Sequence, residues 1–79
     1  MDQRLVRLTL HLAEQLHNRE ALSKKATAIE LNIPYRALLR LYSDKQSEND
    51  VVTIMRGIAL YCLRERIPPD TLFHGFAPR

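Results

Sequence analysis

Residues 23–42 read Ser-Lys-Lys-Ala-Thr-Ala-Ile-Glu-Leu-Asn-Ile-Pro-Tyr-Arg-Ala-Leu-Leu-Arg-Leu-Tyr. Ser23 belongs to the side chains that cap helix N-termini, and Ala28 and Leu31 follow at helical spacing, which predicts a short helix through about Leu31. Asn32 suits the left-handed position that ends a helix, because Asn tolerates positive φ. Pro34 pushes Ile33 out of the α region and can itself occupy the first turn of the next helix, where its missing N–H costs nothing. A third helix over 34–42 follows. Two short helices broken at Asn32-Ile33-Pro34 form a helix-turn-helix signature.

The flanking sequence also reads helical. Leu5, Leu8, Leu12 and Leu16 make an apolar stripe on a first helix over 2–18, widened by Val6, Leu10 and Ala13. Residues 43–49 are the only polar run and read as a loop. Asn49 or Asp50 is expected to cap a long fourth helix to about Arg66, with Val51, Val52, Met55, Ile58, Ala59 and Cys62 inward. Pro68-Pro69 stop it, residues 70–73 make at most one short final helix, and residues 74–79 are expected to be loose. No run alternates with period two between turn dipeptides, so strands are not expected. The predicted fold is all-α, one domain over residues 1–79, a compact bundle of about five helices.

At 79 residues such a chain buries about 60% of its extended surface, and 46% hydrophobic residues suffice to fill that core. With two glycines and four prolines the collagen-like and disordered classes drop out. No apolar run approaches the ~20 residues of a membrane span, and no secretory leader is visible, so a cytoplasmic address is expected. The single cysteine, Cys62, excludes an intramolecular disulfide and a cysteine-rich zinc module. A formal charge of +3 is mildly basic and says little alone. Its distribution says more: no carboxylate lies within residues 31–43, where Arg36 and Arg40 do.

On the third helix Ala37, Leu38 and Leu41 cluster on one side, and Tyr35, Arg36, Leu39 and Arg40 on the other. An ordinary amphipathic helix with a solvated basic face would look the same. Arginine, however, matches guanine O6/N7 with its fork, and apolar carbons can meet the thymine methyl. The face also sits on the second helix of a helix-turn-helix, the one that enters a major groove. Lys24, Lys25 and Lys45 flank it as candidate phosphate contacts, joined by Gln46 and Ser47 as polar donors.

Residues 22–73 resemble the lambda-repressor-like, Cro/repressor (xenobiotic-response-element) helix-turn-helix family. The matching pieces are Leu22-Ser23, Ala28 with Leu31, Ile33 in the turn, Leu38 and Leu41, Ile58-Ala59, and Ile67 followed by Leu72-Phe73. The resemblance implies a five-helix domain that binds operator DNA, commonly as a two-fold dimer. It implies base reading by Tyr35, Arg36 and Arg40 with Leu39 in apolar contact, and backbone contact by Lys24 and residues 43–47. Thr27, Ile29 and Asp44 depart from the pattern: the family prefers a bulky apolar residue, a polar residue and a glycine there.

No catalytic motif is present: no nucleophile elbow, phosphate-binding loop or H-E-x-x-H. His11 and His17 lie about 120° apart on a helix and cannot share a metal, so neither metal nor cofactor is expected. Two readings stay open. One is a repressor-type, sequence-specific regulator on double-stranded DNA, and the other is an antitoxin-like or anti-repressor module that turns the same fold to a protein partner. A homodimer is expected, because one recognition helix reads few base pairs. Leu60, Tyr61, Leu72, Phe73 and Phe76 are its candidate interface. Exposed Arg36 and Arg40 are both expected to be replaceable without loss of stability.

Overall fold

The computed structural model describes residues 2–73, and those residues contain five helices and no strand. They are α1 (Gln3–Arg19), α2 (Lys24–Leu31), α3 (Tyr35–Tyr42), α4 (Glu48–Glu65) and α5 (Pro69–Phe73). The all-α bundle is the expected architecture. The radius of gyration, 11.5 Å, is that of a single compact domain of this length. Among the described residues no helix is long and apolar enough to cross a membrane.

Each break has a local cause. Ser23 accepts the Ala26 amide at the start of α2, as its residue type predicts. Asn32 ends α2 at φ 55°, and the Ile33 amide reaches back to the Ala28 carbonyl. Pro34 stands one residue before α3 as its N-cap, rather than in its first turn. The same closure recurs at Ala21, Asp44 and Arg66, all at positive φ. Following amides donate five residues back, Leu22 to His17, Lys45 to Arg40 and Ile67 to Cys62. Four helices therefore end in left-handed residues that are not glycine, at a strain of roughly 1 kcal/mol each. At position 44, where the resembled family has glycine, the aspartate adopts the glycine-like geometry.

The core gathers Val6, Leu12, Ala13 and Leu16 of α1, Ala28 and Leu31 of α2, and Ala37, Leu38 and Leu41 of α3. Val51, Ile54, Ile58, Tyr61 and Cys62 of α4 join them, with Ile67 and Leu72. Two helices face the core differently from expectation. In α1 the buried set turns toward Val6 and Thr9, leaving Leu5 37% exposed. Thr9 enters without an orphaned hydroxyl because it donates to the Leu5 carbonyl at 2.7 Å. In α4 the buried arc includes Ile54, Gly57 and Tyr61, whereas Val52 and Ala59 are exposed. Tyr61 and Leu72, expected at a dimer interface, belong to the chain's own core. In α2, Thr27 is buried with its hydroxyl on the Ser23 carbonyl, and Ile29 is 70% exposed.

Candidate nucleic-acid interface

Helix α3 has only eight residues, so its packing rather than its own propensity fixes its orientation. Ala37, Leu38 and Leu41 anchor it at 2%, 0% and 2% exposure, the three positions expected inward. Tyr35 and Leu39 are therefore half-exposed and Arg36 and Arg40 exposed on the opposite side. Among the described residues Arg36 forms no ion pair, and its guanidinium keeps all five N–H donors.

Arg40 behaves otherwise. Its Nε and Nη2 donate to the two carboxylate oxygens of Asp50, both at 2.7 Å. Asp50 is buried, on the first turn of α4. The same carboxylate accepts the Ser47 amide at 3.0 Å, and the Ser47 hydroxyl accepts the Asp50 amide at 3.1 Å. This reciprocal capping box makes Ser47 the N-cap of α4, in place of Asn49 or Asp50. The expectation that no acid neutralises the arginines thus fails at Arg40, because the acid arrives from ten residues along the chain. Two of its five N–H groups are spent on the side-on fork, and the end-on fork of Nη1 and Nη2 remains.

The Arg40 guanidinium, together with the Ser47 amide, holds the Asp50 carboxyl far below the usual carboxylate range despite its burial. Because the folded pKa lies below the unfolded one, the stabilisation is fully present above about pH 4 and disappears as pH falls toward the folded value. Asp50→Ala, which deletes the box as well as the pair, is expected to cost about 1–2 kcal/mol at neutral pH. Its stability should also be less acid-sensitive between about pH 4 and 2 than the wild type's, as urea unfolding across that range will read. Arg40→Ala strands a buried carboxylate and is expected to lower the Tm, whereas Arg36→Ala leaves it unchanged. The two arginines are not equivalent.

At the start of α2 the amides of Lys24 and Lys25 have no partner within the helix, as helix geometry requires of its first residues. The Lys24 ammonium lies 4.3 Å from the centre of the Tyr42 ring, tying the beginning of α2 to the end of α3. The Tyr42 hydroxyl is pushed up to about 12, first by burial and then by the Glu14 charge, so the ring stays neutral at any physiological pH. Lys25 and Lys45 are exposed. Gln46 is half-buried, its amide within 3.5 Å of the Asp44 carboxylate.

Of the residues expected at an interface between copies, Leu60 is 59% and Phe73 43% exposed, and Phe76 lies outside the described residues. Cys62 is buried and its thiol is pushed up by that burial. Sequence spacing did not pair Asp50 with Arg40, or Tyr42 with Lys24, both residues expected to meet DNA. The Ser47-x-x-Asp50 spacing was the signal that would have found the capping box. No family model, no curated protein and no solved structure matches the chain.

Proposed function

We infer that the chain is a sequence-specific, DNA-binding regulator of transcription, acting in the cytoplasm and setting α3 into the major groove. The observation that supports this most is the exposed side of α3. Arg36 stands there with every donor unspent, beside half-exposed Tyr35 and Leu39, on a helix held by three buried anchors. Such a face offers a fork for a guanine edge and carbon for a thymine methyl. Lys25, Lys45 and the first amides of α2 supply the charge and donors that phosphates attract. Arg40, its side-on fork fixed by Asp50, keeps the end-on fork of Nη1 and Nη2 for a base edge or a phosphate.

Selection of a site from random duplexes, followed by titration at two salt concentrations, tests the reading. Arg36→Ala is expected to weaken the selected site by about 5–150-fold and to relax preference at one base per half-site. Lys45→Ala is expected to weaken all duplexes alike and to lower the log–log salt slope by about 0.9. Equal losses for Arg36→Ala on selected and scrambled duplexes would reduce α3 to an electrostatic clamp.

A second reading rests on Ile29, 70% exposed, with Tyr35 and Leu39 each at 38%. These give α2 and α3 enough exposed carbon to suit a protein partner. If no duplex binds with a salt slope, that reading takes precedence.

A further inference from the structure

Arg56 lies in the middle of α4, and its neighbours three and four residues away are Val52, Thr53, Ala59 and Leu60. None is acidic, so the helix itself offers no ion-pair partner. No other element brings one: among the described residues Arg56 is exposed and forms neither an ion pair nor a side-chain hydrogen bond. Arg64, farther along the same side, is engaged. It donates to the Glu30 carboxylate at 3.2 Å and to the Glu30 carbonyl at 3.4 Å, pairs with Glu65, and lies 5.1 Å from the centre of the Tyr61 ring.

Both arginines line a groove of about 450 Å³ between α4 and the end of α2, a volume within the range of small-ligand sites. The Glu30–Arg64 bridge joins residues 34 positions apart and ties one wall to the other. Asn32 and Ile33, in the turn after α2, belong to the wall opposite α4. The Asn32 amide and the Thr53 hydroxyl also line the groove and form no side-chain hydrogen bond among the described residues. Arg56, Thr53 and Asn32 thus bring unspent donors to one groove. Its only carboxylate among the described residues, that of Glu30, already accepts from Arg64. The rest of the lining is largely carbon, with Leu60 59% exposed and Ile33 half-buried. Unspent donors around a free cation suit an anion, and the carbon beside them suits an apolar body.

We propose that this groove binds a small organic monoanion, its carboxylate on Arg56 and Thr53 and its apolar body between Leu60 and Ile33. One carboxylate suffices because Arg64 is already paired and Arg56 alone is free for it. The Asn32 amide supplies a further donor from the opposite wall. For a ligand of about ten non-hydrogen atoms in an open groove, the expected Kd is about 0.1–1 mM. Tyr35, Arg36, Leu39 and Arg40 do not line the groove. Binding is therefore measured on the free chain, and it stands or falls separately from the DNA reading.

Phenylacetate and 4-methylpentanoate, one aromatic acid and one branched, are titrated separately into the full chain at about pH 7, where both are ionised, and followed by amide chemical shifts. At least one should saturate, with the largest shifts at Asn32, Ile33, Arg56 and Leu60. Acetate lacks the body and the corresponding amides lack the charge, so each should bind about tenfold more weakly or worse. Arg56→Gln, at an exposed and unpaired position, should keep the Tm and weaken the acid about tenfold, so that acid and amide bind alike. Leu60→Ser should weaken acid and amide together, by about threefold. No saturation by either acid up to about 10 mM overturns the proposal. So do amides that bind as well as the acids, an Arg56→Gln variant that binds like wild type, or shifts centred on Ile67 and Phe73, in the apolar groove on the other side of α4.

Discussion

Leu38→Ala is expected to lower the unfolding free energy by about 2–5 kcal/mol, the range for deleting most of a buried leucine and leaving a cavity. Leu38 is 0% exposed at the middle of α3, between Ala37 and Leu41. An eight-residue helix has no stability of its own, so the loss falls on the packing that holds α3 at all. A domain of this size has about 4–12 kcal/mol in total, and each kilocalorie moves the Tm by about 4–8 °C. Thermal melting followed by circular dichroism reads the effect directly. Leu39→Ala, one residue on and 38% exposed, should cost less than about 1 kcal/mol. If the two variants melt alike, α3 is rotated from the described orientation, and Arg36 no longer faces outward.

The helix boundaries were legible because their causes are local. Asn32 and Pro34 fix the break between α2 and α3 through their own φ preferences, whatever the rest of the fold does. Which side of a helix is buried is settled by its neighbours. On α3 a strong two-sided pattern left one solution. On α4 apolar residues occur nearly all round, from Val51 through Leu63, so spacing alone did not separate Val52 from Ile54. The helix packs against α1, α2 and α3 together and buries a wide arc, which reaches Gly57 and Tyr61. On α1 the leucine line competed with Val6 and Thr9, and Thr9 won a core place by bonding its hydroxyl to its own helix.

The candidate site was legible to the same degree. That Tyr35, Arg36, Leu39 and Arg40 share an outward side follows from helix geometry, and the burial of Ala37, Leu38 and Leu41 agrees. That Arg40 is paired with Asp50 does not follow from it. The acid belongs to another helix, and its carboxylate is aimed at α3 because the capping box fixes the first turn of α4. The sequence offered Asp50 only as a candidate cap of α4, and only the tertiary structure makes it the partner of Arg40.

Gly57→Val is expected to cost about 3 kcal/mol or more, and Gly57→Ala about 1–2 kcal/mol, although helix propensity alone favours alanine over glycine by about 1 kcal/mol. Gly57 lies in the middle of α4, where it faces the joint between α2 and α3. A Cβ there would stand 2.8 Å from the Ile33 Cγ2 and 2.8 Å from the Leu31 carbonyl oxygen. The methyl of Ile33 can swing aside; the carbonyl is backbone at the end of α2 and cannot move without its helix. Any added atom must therefore push α4 away from the α2–α3 unit or distort the Asn32 turn. Both outcomes change how α3 is presented, so Gly57→Ala should also weaken binding to a selected duplex, although the residue is buried and touches no ligand. Urea unfolding gives the first quantity and duplex titration the second. An unchanged or raised stability would mean that the Leu31 carbonyl yields cheaply, and that the turn between α2 and α3 is held by Asn32 and Pro34 alone.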